Sequence, residues 1–267
     1  MKIISWHSKL VLALLIFLPI YFMIAALGTK VGLWGWMTGL VGMTFTAGPP
    51  LLGIVGVVAL ISMIVGIVKK PRQKFTIAIG AIGVFVAAGM FAGFASVGGK
   101  AGANPIHDVA TDTADPPTFS AATMQARTQG GANPLSDYQT PLGEIELFAG
   151  TAPELAIKSH AQIINDTYSA LSPLPLGGAS KADAVAAVAA AMGEMGMSDI
   201  RPDVAAGRVE GVAESFWYGF KDDAVARVGE AEIDFRSVSR VGRSDLGANA
   251  ARITELRERV AAQIGQR

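Results

Sequence analysis

The 267-residue chain carries 22 basic and 22 acidic side chains, three histidines and no cysteine. The missing cysteine excludes disulfides and thiolate metal sites and fits an oxidising compartment; no overall basic excess points to nucleic acid as a partner. The zero net charge averages two unlike parts: residues 1–99 hold seven Lys/Arg and no acid, whereas the 22 acids that follow meet only 15 bases, a net charge of −7. Such a split predicts two regions in different solvents.

The first apolar run, from about Leu10 to Gly28, has the ~20 residues that a helix needs to cross ~30 Å of hydrocarbon. Only a helix satisfies its own backbone there, and Pro19 is a place for a kink. A cleaved signal peptide ending near Ala26-Leu-Gly28 is the alternative, disfavoured because further spans follow. Those spans are expected at about 51–68 and 75–97. Between them and the first, Val31–Pro50 is apolar, holds Trp34 and Trp36 and ends in Gly48-Pro-Pro50. It reads as an interfacial or re-entrant segment, with a fourth helix as the alternative. Residues 1–97 thus form an anchor of about three transmembrane helices. No acid occurs at membrane depth and no base within a span, which argues for an anchor over a transporter. Gly89-Met-Phe-Ala-Gly93 is a small-residue motif, read as packing among this chain's own helices before a dimer face.

Lys69, Lys70, Arg72 and Lys74 crowd the turn between the last two spans. The positive-inside rule keeps such a turn in the cytoplasm. The last span then runs outward and everything after Gly98 lies outside; Lys2 and Lys9 support an inside N-terminus. The expectation is a multi-pass bacterial inner (plasma) membrane protein with a periplasmic C-terminal domain.

A Gly/Ala tether, 98–104, leads into Pro105–Phe119. This stretch packs His107, Asp108, Asp112 and Asp115 into nine positions, and Pro116-Pro117 stops any helix. Three carboxylates and an imidazole could hold a divalent cation. The preferred reading is a series of turns in which Asp and Thr side chains bond the backbone; the glycine and terminal Glu of a calcium loop are absent. Residues 120–150 read as mostly loop. A helix is expected from Pro153 to about Leu171, with His160 at the surface or as a core hydrogen bonder. Ser180 looks like an N-cap for a helix to about Gly196, with Val185, Val188, Met192 and Met195 on one face. Extended runs follow. Arg208–Phe220 is rich in Val and aromatics, Asp222-Asp223 reads as a turn, and Ala224–Val228 returns. Glu232–Arg240 alternates, Ile233 and Phe235 against Asp234 and Arg236. Ser244-Asp245 starts a last helix with an apolar stripe of Leu246, Ala250, Ile253, Leu256, Val260 and Ile264 and a wet face including Arg252. The order predicts an α+β domain over 105–267, an antiparallel sheet packed with helices.

Two sets of strings carry a likeness. PIHDVATDTADPPTF (Pro105–Phe119), and FWYGFKDD (Phe216–Asp223) with RSVSRVGRSDLGANAARI (Arg236–Ile253), resemble domain-of-unknown-function family 1499 over most of residues 103–264. Membrane-anchored bacterial members have preceding spans of this kind. The resemblance implies an envelope or lumenal domain and brings no activity, substrate or catalytic residue with it.

Three polar clusters are the candidate ligand-binding residues: His107/Asp108/Asp112/Asp115, Lys221/Asp222/Asp223, and Arg240/Arg243/Ser244/Asp245. In one reading Arg240 or Arg243 pairs bidentately with loop aspartates and pins the front loop onto the sheet. In another the arginines grip an anionic ligand, helped by Ser244 at a helix N-terminus. No nucleophile elbow, HExxH or Walker loop is present, and no cofactor or metal is expected. The expected partners are the lipid bilayer and either an envelope protein or an anionic ligand. The functional expectation is a membrane-tethered binding or scaffolding module; an extracytoplasmic hydrolase, with a metal as an option on His107 and its aspartates, is the alternative. The aromatic string 216–220 reads as core before a partner surface.

Overall fold

The computed structural model describes residues 4–265, so the part of the orientation argument that uses Lys2 lies outside the described residues. The chain divides into two compact units. One is residues 1–99 together with Phe216–Gly219; the other is Lys100–Ser215 together with Phe220–Arg267.

Among the described residues three helices are long and apolar enough to cross a membrane. Helix α1 (Trp6–Lys30) starts at Ser5, whose side chain accepts from the Ser8 N–H, and runs unbroken through Pro19. The stretch expected as an interfacial segment is mostly helical. Met37–Ala47 is a π-helix that runs directly into α2 (Gly48–Val68). Thr44 Oγ1 donates to the Gly39 carbonyl within it. Pro49 and Pro50 lie where the π-helix passes into the first turn of α2. Helix α3 (Lys74–Ala103) likewise continues through the Gly/Ala stretch expected as a tether. Alanine favours helix, and the stop comes only at Asn104, the residue before Pro105.

Small residues decide how these helices meet. A Cβ added at Gly80 would lie 2.7 Å from the Ala59 carbonyl oxygen and from the Met63 nitrogen, and one at Gly83 would lie 2.6 Å from Ala59 Cβ and 2.9 Å from Val11 Cγ1. Hydroxyls add cross-links: His7 Nδ1 lies 2.8 Å from Ser62 Oγ, and Ser8 Oγ donates to Thr76 Oγ1 over 3.2 Å. Gly89 and Gly93 correct the motif reading. Nothing lies within 4 Å of a Cβ built at either, so this chain's own helices do not pack on them.

The second unit is built on an antiparallel sheet of six strands: β1 (Asp108–Ala110), β2 (Leu174–Pro175), β3 (Ser198–Asp203), β4 (Arg208–Glu214), β5 (Lys221–Val228) and β6 (Glu232–Ser239). Their order is β1-β6-β5-β4-β3, and β2 shares the β1 edge of β6 further along. The α+β expectation holds. Gly207, at φ +61, turns β3 into β4, and a Cβ there would sit 2.5 Å from the Val228 carbonyl oxygen. Between β1 and β3 lie α4 (Ala121–Gln129), α5 (Pro153–Ala156), α6 (His160–Thr167) and α7 (Lys181–Glu194); α8 (Ala248–Gln263) closes the chain.

One sheet face is the apolar core. Val209, Ala226, Ile233 and Phe235 are buried there with Val185, Val188 and Met192 of α7 and Ile253, Leu256 and Val260 of α8. Each such large side chain contributes roughly 1.5–3 kcal/mol by leaving water. Ser180 caps α7 as expected, accepting from the Asp183 N–H.

Several local expectations change. Within residues 120–150, expected as mostly loop, Ser120 caps α4 by accepting from the Thr123 N–H. The helix expected over 153–171 is two short ones, the second starting anew from a capping box between Ser159 and Gln162. Asp222-Asp223 is not a turn: both residues lie inside β5, and the reversal comes at 215–220. Leu246 leaves the apolar stripe, since α8 begins after a left-handed Gly247 and Leu246 itself has φ +57 and is exposed. Arg252 leaves the wet face and bonds Asp222 at 2.7 Å.

These close approaches give a first prediction. Gly80→Ala forces backbone to move and should destabilise the helical unit by about 1–3 kcal/mol. Gly89→Ala meets open space and should be neutral or slightly stabilising. Thermal melting of the two variants in detergent checks this; equal melting points would contradict the packing described.

Candidate functional site

Strand alternation sends every second side chain of the sheet away from the apolar core. On β6 these are Asp234, Arg236 and Val238; on β5 they include Asp223, Val225 and Arg227; on β4 they include Glu210 and Val212. The register sets Val225 beside both Glu210 and Arg236, and Asp223 beside Val238. In a one-sided sheet this second face would be wet. Here it is covered by the segment after β1 and by α4, with Phe119 packed on Val225 and Val238. Charges are therefore buried, and each carboxylate has to be matched.

The matching is dense. Asp108, fully buried, accepts from Arg236 Nε at 2.9 Å and from its second guanidinium nitrogen at 2.7 Å. It also accepts from the Tyr138 hydroxyl at 2.6 Å and the Ser136 N–H at 3.0 Å. Burial by itself would raise its pKa; the Arg236 charge and these hydrogen bonds overcome that and hold the carboxyl below its ordinary range. Asp223, also buried, accepts from Arg240 at 3.0 and 2.6 Å and from Arg127 of α4 at 2.6 Å. Glu210 accepts from the Ser120 N–H, from Ser120 Oγ at 2.7 Å and from Thr123 Oγ1 at 2.6 Å. Arg227 bridges Asp234 at 2.9 Å, Asp115 at 2.6 Å and Asp112 at 3.1 Å. Burial pushes the Asp234 carboxyl up in spite of that partner.

The three clusters thus disperse. Asp112 makes the expected turn, accepting from the Ala114 and Asp115 N–H groups, and also holds Arg227. Asp222 and Asp223, adjacent in β5, face opposite sides of the sheet, Asp222 towards Arg252 of α8 and Asp223 towards α4. Lys221 is exposed, and its carbonyl accepts from the Arg240 N–H. Arg243 donates to the Ala149 carbonyl, and Ser244 Oγ accepts from the Leu246 N–H. Asp245 caps the entry to α8 by accepting from the Gly247 and Asn249 N–H groups, and burial raises its pKa. Arg240 pairs with Asp223 of the neighbouring strand rather than with a loop aspartate. The residues that tie the front segment down are Arg236 and Arg227, with Arg127 tying α4. Arg236 was visible in the alternation of β6. Arg127 was hidden in a stretch read as loop, although Ser120 before an alanine-rich run was a capping signal.

His107 and His160 are buried side by side, their ring centroids 6.4 Å apart. His107 Nε2 lies 3.4 Å from the Pro134 carbonyl oxygen. Among the described residues neither ring nitrogen of His160 has a hydrogen-bond partner, so the buried imidazole is neither at the surface nor a core hydrogen bonder. Its ring stacks on Tyr138 and meets Phe148 edge-on. Burial pushes its pKa down to about 4, with Asp108 opposing. Among the described residues, no group of three or more His, Asp or Glu side chains is placed to hold a metal ion. Beside this region an open depression of about 470 Å³ is lined by Thr113, Gln139, Ser159, Gln162 and Asn165 together with four apolar residues. Its polar groups are hydroxyls and amides, without a formal charge.

A family model described as "Protein of unknown function (DUF1499)" matches residues 108–260. No curated protein and no solved structure matches the chain.

Two outcomes follow from this geometry. Asp108→Ala strands a buried guanidinium and should cost about 3–5 kcal/mol, whereas Asp115→Ala, at an exposed pair, should cost under about 1 kcal/mol. Chemical denaturation of the full chain measures both, and an Asp108→Ala variant as stable as the parent would contradict the clamp. The second concerns pH. His160 binds its proton less readily folded than unfolded, so its contribution is fully present above about pH 6.5. It is lost as pH falls towards 4, by at most about 3 kcal/mol. His160→Phe should flatten the melting profile across that window; an unchanged slope would assign the acid sensitivity elsewhere.

Proposed function

The chain belongs to the family of unknown function DUF1499, and on that premise we propose that it is a membrane-tethered binding or scaffolding module of the bacterial envelope. The observation that carries this reading is the use made of the polar clusters. Asp108, Asp112, Asp115, Asp222, Asp223 and Asp245 are each engaged by a fixed guanidinium or by backbone N–H groups. Carboxylates held this way set the shape of a surface and are poorly disposed to move protons. Of the two arginines considered for an anionic ligand, Arg240 is likewise spent on the Asp223 carboxylate, whereas Arg243 donates to the Ala149 carbonyl. The uncharged depression is the better candidate surface, suited to a neutral ligand bearing hydroxyl or amide groups. The hydrolase alternative would need a carboxylate or imidazole open to a substrate.

The side of the membrane belongs to the same proposal. Four cations in the turn between α2 and α3 support a cytoplasmic turn and hence a periplasmic C-terminal domain. Alkaline phosphatase fused after Arg267 in a bacterial host should be active, and a fluorescent protein that folds only in the cytosol should stay dark. The reverse pattern would end the envelope reading. For the binding surface, a photo-crosslinking residue at Asn165 in native membranes should give one discrete adduct that a residue placed at Arg257 does not. Bare chain at both positions would remove the depression from consideration.

A further inference from the structure

The reversal between β4 and β5 is made by Ser215-Phe216-Trp217-Tyr218-Gly219-Phe220. A turn that only has to reverse the chain is built from Gly, Asn, Asp, Pro or Ser. Here two large aromatic side chains are placed in the open: Phe216 is 72% exposed and Trp217 54% exposed, their rings edge to face at 5.1 Å. The sequence expectation that this string is core is therefore corrected. From residue 100 onward the other large exposed apolar side chains are Ile157, Val204 and Leu246, which stand singly in sequence. An adjacent exposed aromatic pair is of a different kind, since such patches mark interaction sites.

The compact unit of the apolar helices takes in Phe216–Gly219. Within it, Lys30, the last residue of α1, donates its Nζ to the Phe216 carbonyl over 2.9 Å, and the ammonium lies 5.2 Å from the Phe216 ring centre. The Tyr218 hydroxyl lies 2.6 Å from Thr44 Oγ1. Trp34, just beyond α1, donates its indole N–H to the Ala25 carbonyl. Lys30 and Trp34 mark the end of α1 away from Trp6, and Trp36 adjoins the start of the following helix. A lysine with a ring of Trp, Tyr and Phe at the ends of apolar helices is the composition of the membrane–water boundary, where one part of each side chain is dry and the other wet.

We propose that the Phe216–Trp217 tip is an interfacial lipid anchor, seated between head groups and acyl chains at the helix ends opposite the Lys69–Lys74 turn. The occupant is the bilayer itself. The proposal rests on the three helices crossing the membrane and not on which side the sheet domain faces, so the fusion experiment above can fail without it. It gives the β4–β5 hairpin a role distinct from the depression and the clamp.

The test uses the full chain in phosphatidylcholine vesicles. Trp6, Trp34 and Trp36 are replaced by Phe, leaving Trp217 as the only indole. Lipids brominated near the head of the acyl chain should quench its emission by roughly half, deeper bromines less, and aqueous acrylamide weakly, as expected for an interfacial indole. Water-like emission open to acrylamide and untouched by bromolipid would overturn the proposal. So would an indole shielded from both, which would mean a protein covers the tip. Should the triple variant fail to fold, Trp217→Phe in the otherwise native chain gives the same readout by difference: the lost component should be the bromolipid-quenched one, and loss of an acrylamide-quenched component would overturn the proposal equally.

Discussion

The buried pair between Asp108 and Arg236 is the interaction on which the sheet domain depends. It lies where β1 joins β6, and it fixes three things at once. It sets the start of the domain against its last strand, holds Tyr138 through the same carboxylate, and gives Arg236 a further acceptor in the Pro117 carbonyl. A charge pair taken out of water gains little net free energy over an apolar pair of the same volume, but leaving one member alone is costly. The consequence is an all-or-none requirement. The front segment docks in the register that satisfies the guanidinium, or the face stays open.

The same logic repeats across that face. Arg127 and Arg240 share Asp223, Ser120 and Thr123 share Glu210, and Arg227 gathers Asp112, Asp115 and Asp234. The bonds of Arg127, Ser120 and Thr123 and those of Asp112 and Asp115 join segments distant in the chain to a strand, and α4 is held by Asp223 and Glu210 on the sheet, besides Met124 in the apolar cluster. The opposite face is ordinary by comparison: α7 and α8 lie on alternate aliphatic residues, with a smaller polar group of Asn249, Ser237, Ser239, Arg252 and Asp222. The sheet therefore separates two kinds of cohesion, area on one side and pairwise charge on the other. The first tolerates substitution of one aliphatic residue for another; the second does not.

That separation bears on function. A reactive site needs groups whose protonation or ligation can change during a cycle, and carboxylates locked by guanidinium forks are held in one state. What the domain offers to the outside is of another chemistry: an uncharged depression lined by hydroxyls and amides, and two aromatic rings at a hairpin tip. The imidazoles of His107 and His160 are enclosed among Phe148 and Tyr138 inside the core.

The sequence alone determined the features that depend on local composition. Long apolar runs give helices long and apolar enough to cross a membrane, alternation in Glu232–Arg240 reads as a strand, and Ser180 before an apolar periodicity caps a helix. The strings at Pro105–Phe119, Phe216–Asp223 and Arg236–Ile253, likewise, pointed to the family that the family model matches over 108–260. Tertiary structure decided what depends on partners far along the chain. Asp108 and Arg236 are 128 positions apart, and nothing near either says that they meet. Asp222 and Asp223 look like a turn until the pairing of β4, β5 and β6 places them inside a strand and on opposite faces. Phe216 and Trp217 look like core because hydrophobicity is read from residue type, whereas exposure is set by where the hairpin ends. Composition is a property of a segment; a matched charge or an exposed ring is a property of the packed whole.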